Sequence, residues 1–585
     1  MSKLNLSLYF AILVFVLFSS GCENQVRKDE SGSNAYNFVA TDTSWKSLSL
    51  REKIGQTMMI QSNYYFQTRE NYPIDSFMKD YPVGGIFIAS WHFPQNCPNR
   101  DSSFQYMLKC VQDYESASKF PLFISEDFER GVGLTYNQYT HLPSEMAIGA
   151  ANDTTLAYNF GSSIARESKE LGVNWLLHPV VDLNMNPLHS LVIERSISDD
   201  ADRALPLLKQ QVRGIQEQGT IATIKHFPGD GATIRDQHLI TSANNLDMKT
   251  WESTFGKVFQ GLINDGAASI MVGHLRFAAY QKDSINGVLP PATLSKELMT
   301  DLLKGKMGFK GVIISDALNM GGVAGYYKNQ IETAVESFKA GVDVVLWPDL
   351  EYMDTVEARI LRGEIPMERL DDAVSRVWAL REKFNLLKKE SSIFKKLTPE
   401  DKEFISNTGQ AIADKAITLI KDVRKELPIT PQRDTLLLLV NISHSNKTKE
   451  FSLTKKLLEE KGFKVDTLMH HLSFFDYGWR VNYFDKYSRI IVMFENKYFE
   501  PLGVSLFKDK EALSLWMVNV LPREKIIGIS YSNPYYVSFY LETAPININA
   551  YSSDVFSQKA VVKALVGDMP FVGTSPVKLQ HDILK

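Results

Sequence analysis

A chain of 585 residues exceeds what a single hydrophobic core can organise, so two or three domains are expected. Its composition, 44% hydrophobic and 23% charged, is that of an ordinary globular protein, and its net charge is −4. That balance removes any electrostatic reason to expect a nucleic-acid partner.

The first element is an address. Residues 1–22, MSKLNLSLYFAILVFVLFSSGC, place one Lys before a short apolar run and then small residues ending in Cys22. The run is too short for an ordinary membrane span and has the shape of a signal peptide. SSGC resembles the lipobox of bacterial lipoproteins, which implies lipidation at Cys22 and a cell-envelope protein held to the membrane by a lipid anchor, on its periplasmic or outer side. Residues 23–40 are polar and read as a flexible tether.

Eight short apolar runs follow within residues 41–390. They are QTMMIQS (56–62), GGIFIAS (84–90), PLFISED (121–127), VNWLLHP (173–179), IATIKHF (221–227), ASIMVGH (268–274), GVIISDA (311–317) and DVVLWPD (343–349). Near-continuous apolar runs are the mark of strands buried on both faces. Amphipathic segments such as TLAYNFGSSIARESKELG lie between them, so the expected fold is a (β/α)8 TIM-type barrel, with a doubly wound open sheet as the alternative. Polar residues collect at the C-terminal ends of the runs: Asp127, His178, Lys225 with His226, His274, Asp316 and Asp349. In a barrel these ends form one face, and barrels of this kind do their chemistry there.

A connector over residues 391–430 includes a helix predicted across ISNTGQAIADKAITLIKD. Residues 431–585 return to β/α alternation, with about five strands, and predict a smaller α/β sandwich domain of structural or substrate-framing role. Apart from Cys22 only Cys97 and Cys110 occur, and the sequence leaves open whether they pair. No His-x-His opens the first strand and no spacing suggests a ligand set, so neither a metal nor another cofactor is expected.

The densest titratable stretch is IKHFPGDGATIRDQH (224–238), where a buried strand opens into a Gly-rich loop. KHFPGDG joined to DQH, with SDAL some eighty residues on, resembles glycoside hydrolase family 3, in particular its bacterial β-N-acetylglucosaminidase branch with an Asp-x-His loop. EDFERG (126–131), NWLLHPVVDLN (174–184), ERSIS (194–198), SIMVGH (269–274), GFKGVIISDALNM (308–320) and the C-terminal INAYSSDVFSQKAVVKALVGDMPFVGTSPVKL extend the resemblance over nearly the whole mature chain. The chain departs from the branch's pattern at Asp230, where a His is usual, at Gln237, where a Ser is usual, and in DFERG, which stands for D-Q-E-G-G.

The resemblance implies a retaining exo-glycosidase that removes terminal β-N-acetylglucosamine from cell-wall or chitin-type fragments, its partner being a small GlcNAc-containing glycan or muropeptide. Asp316 would be the nucleophile, His238 the acid/base and Asp236 the residue that orients the imidazole. Asp127, Arg195, Lys225 and His226 would hold the sugar, Arg195 by forking onto its oxygens, and Lys225 would also sit close enough to keep Asp316 ionised. His178, His274 and Asp182 are expected in the core or behind the site. The alternatives are a family 3 β-glucosidase, a substrate-assisted hexosaminidase, a metal-dependent barrel hydrolase and a catalytically inactive sugar-binding lipoprotein. Asp236 and His238 argue against the first, because that branch generally takes its acid from the second domain.

Overall fold

The computed structural model describes residues 38–63, 72–92, 100–390, 392–443, 451–468, 482–495, 518 and 521–579. The signal segment, Cys22, most of the tether, Cys97 and nearly all of ALSLWMVNVL lie outside the described residues. Cys110 is buried, its thiol directed at the carbonyl of Ser62 at 3.9 Å.

The eight apolar runs form eight parallel strands: β1 (Met58–Gln61), β2 (Gly85–Phe87), β3 (Phe123–Glu126), β4 (Trp175–Leu176), β5 (Ile221–Phe227), β6 (Ser269–Val272), β7 (Val312–Ser315) and β8 (Val345–Leu346). Their order in the sheet is β8-β1-β2-β3-β4-β5-β6-β7, and a bridge between Ile314 and Val344 brings the two ends together. The result is the expected barrel, not the open sheet. Met59, Phe87, Phe123, Trp175, Ile221, Met271, Val312 and Ile314 fill its interior. The one polar atom of the largest of these, Trp175 Nε1, donates to Thr223 Oγ1 at 2.6 Å.

Helices cover the outside. The first two used here are α1 (Thr154–Ser168) and α2 (Ala201–Glu217), which start at the N-caps Asp153 and Asp200. They cross where Gly161 and Gly214 remove the side chains. A Cβ on Gly161 would lie 2.4 Å from the Gln211 carbonyl oxygen, and one on Gly214 would lie 2.2 Å from that of Tyr158.

The connector helix α3 (Pro399–Ala416) begins with a capping box of Thr398 and Asp401 and has Pro at its first position. It starts and ends six residues earlier than the sequence predicts. TLIKD leaves the helix and becomes β9 (Thr418–Asp422), an edge strand paired antiparallel with the strand 546–549. Thr418 and Ile420 are β-branched and suit a pleated edge better than a helix end. With β10 (Leu436–Ser443), β11 (Lys464–Leu468), β12 (Arg489–Glu495), β13 (Ile526–Ser530) and β14 (Ile546–Asn549), the second sheet has, among the described residues, six strands in the order β9-β14-β13-β12-β10-β11. Apolar clusters pack on both of its faces.

The second unit touches the barrel through its loops. Ser144 Oγ donates to the Tyr551 carbonyl at 2.8 Å, Asn184 Nδ2 to Tyr535 Oη at 3.1 Å, and Ser198 Oγ to the Pro576 carbonyl at 2.6 Å. Arg130, from the loop after β3, reaches the Ser552 hydroxyl and pairs with Glu194 at 3.3 Å.

Candidate active site

The C-terminal ends of the barrel strands open on a cavity of about 640 Å³. Asp127, Arg195, Lys225, His226, His238 and Asp316 all line it, so six of the seven residues assigned from sequence to the site share one space. The seventh, Asp236, is buried directly behind His238. Phe87, Trp91 and Trp347 form an aromatic wall, with ring centroids 5.2 to 5.7 Å apart. Such a wall suits the C–H faces of a sugar ring, while the charged groups opposite suit its hydroxyls.

Asp316 follows β7 directly. Its backbone N–H donates to the Val272 carbonyl at 2.9 Å, and Oδ1 accepts the Ala317 N–H at 2.8 Å. Burial pushes the carboxyl's pKa up, but His226, His274, His238 and the Ala317 N–H outweigh it and leave the pKa below its ordinary value. The carboxylate is therefore ionised at neutral pH, as a nucleophile must be.

The group closest to Asp316 on this side is His226, with Nε2 4.0 Å from Oδ2. The expectation that Lys225 holds Asp316 is corrected. Lys225 Nζ lies 2.6 Å from Asp127 Oδ1 and 2.7 Å from Glu129 Oε1, and these two carboxylates take up its charge. Both side chains face the same cavity, at a register shift in the pairing of β5 with β6, and take different partners there. The other ring nitrogen of His226, Nδ1, lies 2.7 Å from Asp182 Oδ2, and Asp182 Oδ1 accepts the backbone N–H groups of His226 and Asp230.

Arg195 lines the cavity too, and its Nε and Nη2 donate to the two oxygens of Glu129, each at 2.8 Å, so this fork holds a carboxylate of the protein. Glu129 was not singled out from the sequence. Its one signal in the sequence is its place, an acidic residue two positions after Asp127. Burial would raise its pKa, but Arg195 and Lys225 hold it well below the usual carboxylate range. Glu126 is the opposite case. Burial and then the charge of Asp127 push its pKa up to about 8, so it stays protonated at neutral pH.

His238 stands on the loop after β5. Its Nδ1 lies 2.9 Å from Asp236 Oδ1, which also accepts the His238 backbone N–H at 2.8 Å. The imidazole ring is about a quarter exposed, whereas Asp236 is closed off from solvent. One oxygen thus anchors both ends of the residue and fixes its ring.

His178 and His274 lie behind the site, as expected. Burial brings His178 down to about 3 and also lowers His274. His274 Nε2 lies 2.9 Å from the Ala317 carbonyl, which can only accept, so the ring carries its proton on Nε2. Asp230 is buried and paired with His189 Nε2 at 3.1 Å. His189 Nδ1 accepts two backbone N–H groups, from Leu191 and Val192, which fixes that ring too. Among the described residues no group of three or more His, Cys, Asp or Glu could hold a metal ion, and no helix is long and apolar enough to cross a membrane.

Residues 49–380 match the model of the glycosyl hydrolase family 3 N terminal domain. A beta-N-acetylglucosaminidase/beta-glucosidase of Cellulomonas fimi is 30% identical over 505 residues, covering 80% of this chain and 85% of that one. Among solved structures, a beta-glucoside phosphorylase, BglX, superimposes with a TM-score of 0.77 at 28% identity over 92% of this chain and 94% of its own. A family 3 beta-N-acetylglucosaminidase from Paenibacillus sp. str. FPU-7 does so with a TM-score of 0.75 at 25% identity, over 91% and 99%.

Proposed function

The chain belongs to glycosyl hydrolase family 3, and from that premise we propose that it is a retaining, exo-acting β-N-acetylglucosaminidase with Asp316 as nucleophile and His238 as acid/base. The observation that carries the reading is the meeting of an ionised Asp316 and an Asp-held His238 on one cavity. Asp316 Oδ attacks the anomeric carbon as the glycosidic bond breaks. His238 gives its Nε2 proton to the departing oxygen. The covalent glycosyl-Asp316 ester is then cleaved by water, whose proton returns to His238, and the sugar leaves with its original configuration. Asp236 stabilises the imidazolium that donates its proton in the first step and forms again in the second, the ring being neutral in between.

Asp127 and the Lys225 ammonium, with the aromatic wall opposite, supply hydroxyl and C–H contacts for a small carbohydrate. Glu129 and Arg195 hold Lys225 and the loop after β3 in place. The C. fimi relative supports N-acetylglucosamine as the sugar.

The test is a leaving-group series. His238→Ala should slow a poor leaving group, such as a sugar, by about 10²- to 10⁴-fold. A dinitrophenyl leaving group needs no proton and should depart at nearly the wild-type rate. Equal slowing of both would remove His238 from the acid role.

A second reading concerns the acceptor. The base here is an imidazole, which repels a phosphate dianion less than a carboxylate would, and one similar structure is a phosphorylase. Phosphate in place of water would yield a sugar 1-phosphate. ³¹P NMR of the products in phosphate buffer distinguishes the two: a free reducing sugar alone removes this reading.

Cys22, which follows the apolar run, is the proposed lipid attachment point, and the bacterial envelope the proposed location. Cys22→Ala should leave the protein unprocessed or soluble. Wild-type protein that carries no lipid would end this assignment.

A further inference from the structure

The loop that carries His238 is joined to the barrel by a side chain that has no part in the mechanism above. Gln237 stands between Asp236 and His238 and is almost wholly buried. Its Oε1 accepts the backbone N–H of His274, at the end of β6, at 2.8 Å. Its carbonyl accepts the Gly322 N–H at 3.0 Å, and the His238 carbonyl accepts the Gly321 N–H at 2.8 Å. Gly321 and Gly322 lie in the loop after Asp316. The contact is close enough to require glycine. A Cβ on Gly321 would meet the Leu239 carbonyl oxygen at 2.3 Å, and one on Gly322 would meet that of Gln237 at 2.4 Å. His274 completes the circuit, since its Nε2–H holds the carbonyl of Ala317, the residue next to Asp316, and its own carbonyl accepts the Ser242 N–H at 3.1 Å.

We propose that Gln237 is a positioning residue, a latch that fixes His238 and Asp316 to one hydrogen-bonded frame before substrate arrives. The inference rests on the acid/base reading of His238. A Gly-rich segment such as 229–242 has many accessible conformations, and ordering it on each turnover would cost entropy. Four hydrogen bonds to the β6 and β7 ends meet that cost during folding. Proton transfer to the leaving oxygen then starts from a placed imidazole, and misplacement by about 1 Å can cost about 10²-fold.

Gln237→Met keeps the length and buries no new charge but removes the acceptor for His274. It should lower kcat/KM about 10- to 100-fold for a poor leaving group. For a dinitrophenyl glycoside kcat/KM, which reports the glycosylation step alone, should stay within about 3-fold of wild type, because an activated group needs no proton from His238. The affinity for free N-acetylglucosamine should be unchanged. A merely structural role would move all leaving groups together, and that outcome, or no change at all, overturns the latch. If His238→Ala is itself indifferent to the leaving group, the acid/base reading has failed and takes the inference with it. If His238→Ala is selective and Gln237→Met is not, only the latch is lost.

Should Gln237→Met not fold, amide hydrogen exchange on the wild-type enzyme without ligand decides. The His274, Gly321 and Gly322 amides should be protected to the level of β6 and β7. Rapid exchange at these three with the strands protected overturns the proposal.

Discussion

The two ends of the barrel solve the same physical problem in different ways. At the N-terminal end one part of the floor is closed by the buried cation Arg381, beside a second part where the buried Asp343 pairs with Lys304 at 2.7 Å and Arg369 at 3.2 Å. Arg381 donates to Gln56 Oε1 at 2.8 and 3.1 Å, to the Gly84 carbonyl at 3.0 Å and to the Pro121 carbonyl, and its guanidinium lies 4.2 Å from the Phe123 ring centroid. Each of these acceptors is neutral and fixed. At the C-terminal end the charges face one another. Glu129 is shared by Arg195 and Lys225, Asp182 serves His226, Asp236 serves His238, and a cavity lies over them. The floor's buried groups are paired among themselves, and the cavity at that end, about 90 Å³, is much smaller than the one at the roof. The roof is also paired, but its pairs are set against a space that a ligand can enter, and their interactions change when a charge develops there.

Substitutions on the two faces should therefore separate activity from stability. The largest effect belongs to Asp316→Asn, which removes the nucleophile and should lower kcat by about 10⁴-fold or more, with the melting temperature nearly unchanged. Initial rates with an aryl glycoside and a thermal melt measure both. Asp316→Asn with substantial residual turnover would erase the contrast.

Next comes Glu129→Gln. It leaves Arg195 and Lys225 with one fewer counter-charge in a buried site, which should cost about 3–5 kcal/mol of stability by urea denaturation and also disturb sugar binding. This would be the one roof position where both properties fall together.

Arg381→Met tests the floor. The lost guanidinium takes the donors from Gln56 Oε1 and the Pro121 carbonyl, while the Gly84 carbonyl keeps the Phe123 N–H, for about 1–3 kcal/mol of stability. Neither kcat nor KM should move by more than about 2-fold, because the pathway to the site runs through the packed barrel interior. A selective loss of kcat would mean that the floor and roof are coupled.

The last test is a pH slope. The folded state holds a proton on Glu126 up to about pH 8, whereas in the unfolded chain the group ionises near pH 4.5. Between these values the folded state binds the extra proton, so this group's contribution to stability falls as pH rises. Glu126→Gln has no proton to lose. Its melting temperature relative to wild type should climb from pH 5 to pH 8, and a flat difference would show that Glu126 is already ionised.

Much of this was legible in the sequence because strand and site coincide. A parallel barrel buries its strands on both faces, so each appears as an apolar run, and a polar residue at its end marks the working face. Asp316, Lys225 and His226 were readable in that way. Asp236 and His238 were readable only through the spacing of a loop that resembles a family pattern. What the sequence could not supply was partnership. Lys225 and His226 are adjacent in the chain, yet one meets Asp127 and Glu129 while the other meets Asp182 and Asp316. Arg195 and Glu129 come from different loops, so nothing local announces their fork. TLIKD continues a helical pattern in the sequence, and only its pairing with β14, more than 120 residues later, makes it a strand.

The central claim is that Asp316 attacks the sugar. A fluorinated glycosyl donor with an activated leaving group slows the second step and lets the ester accumulate. Intact-protein mass spectrometry followed by peptide mapping should find one sugar per chain, on the peptide that contains Asp316, and none on the Asp316→Asn protein. An adduct on another carboxylate such as Glu126 or Asp127, or active enzyme that forms no adduct at all, would contradict the account.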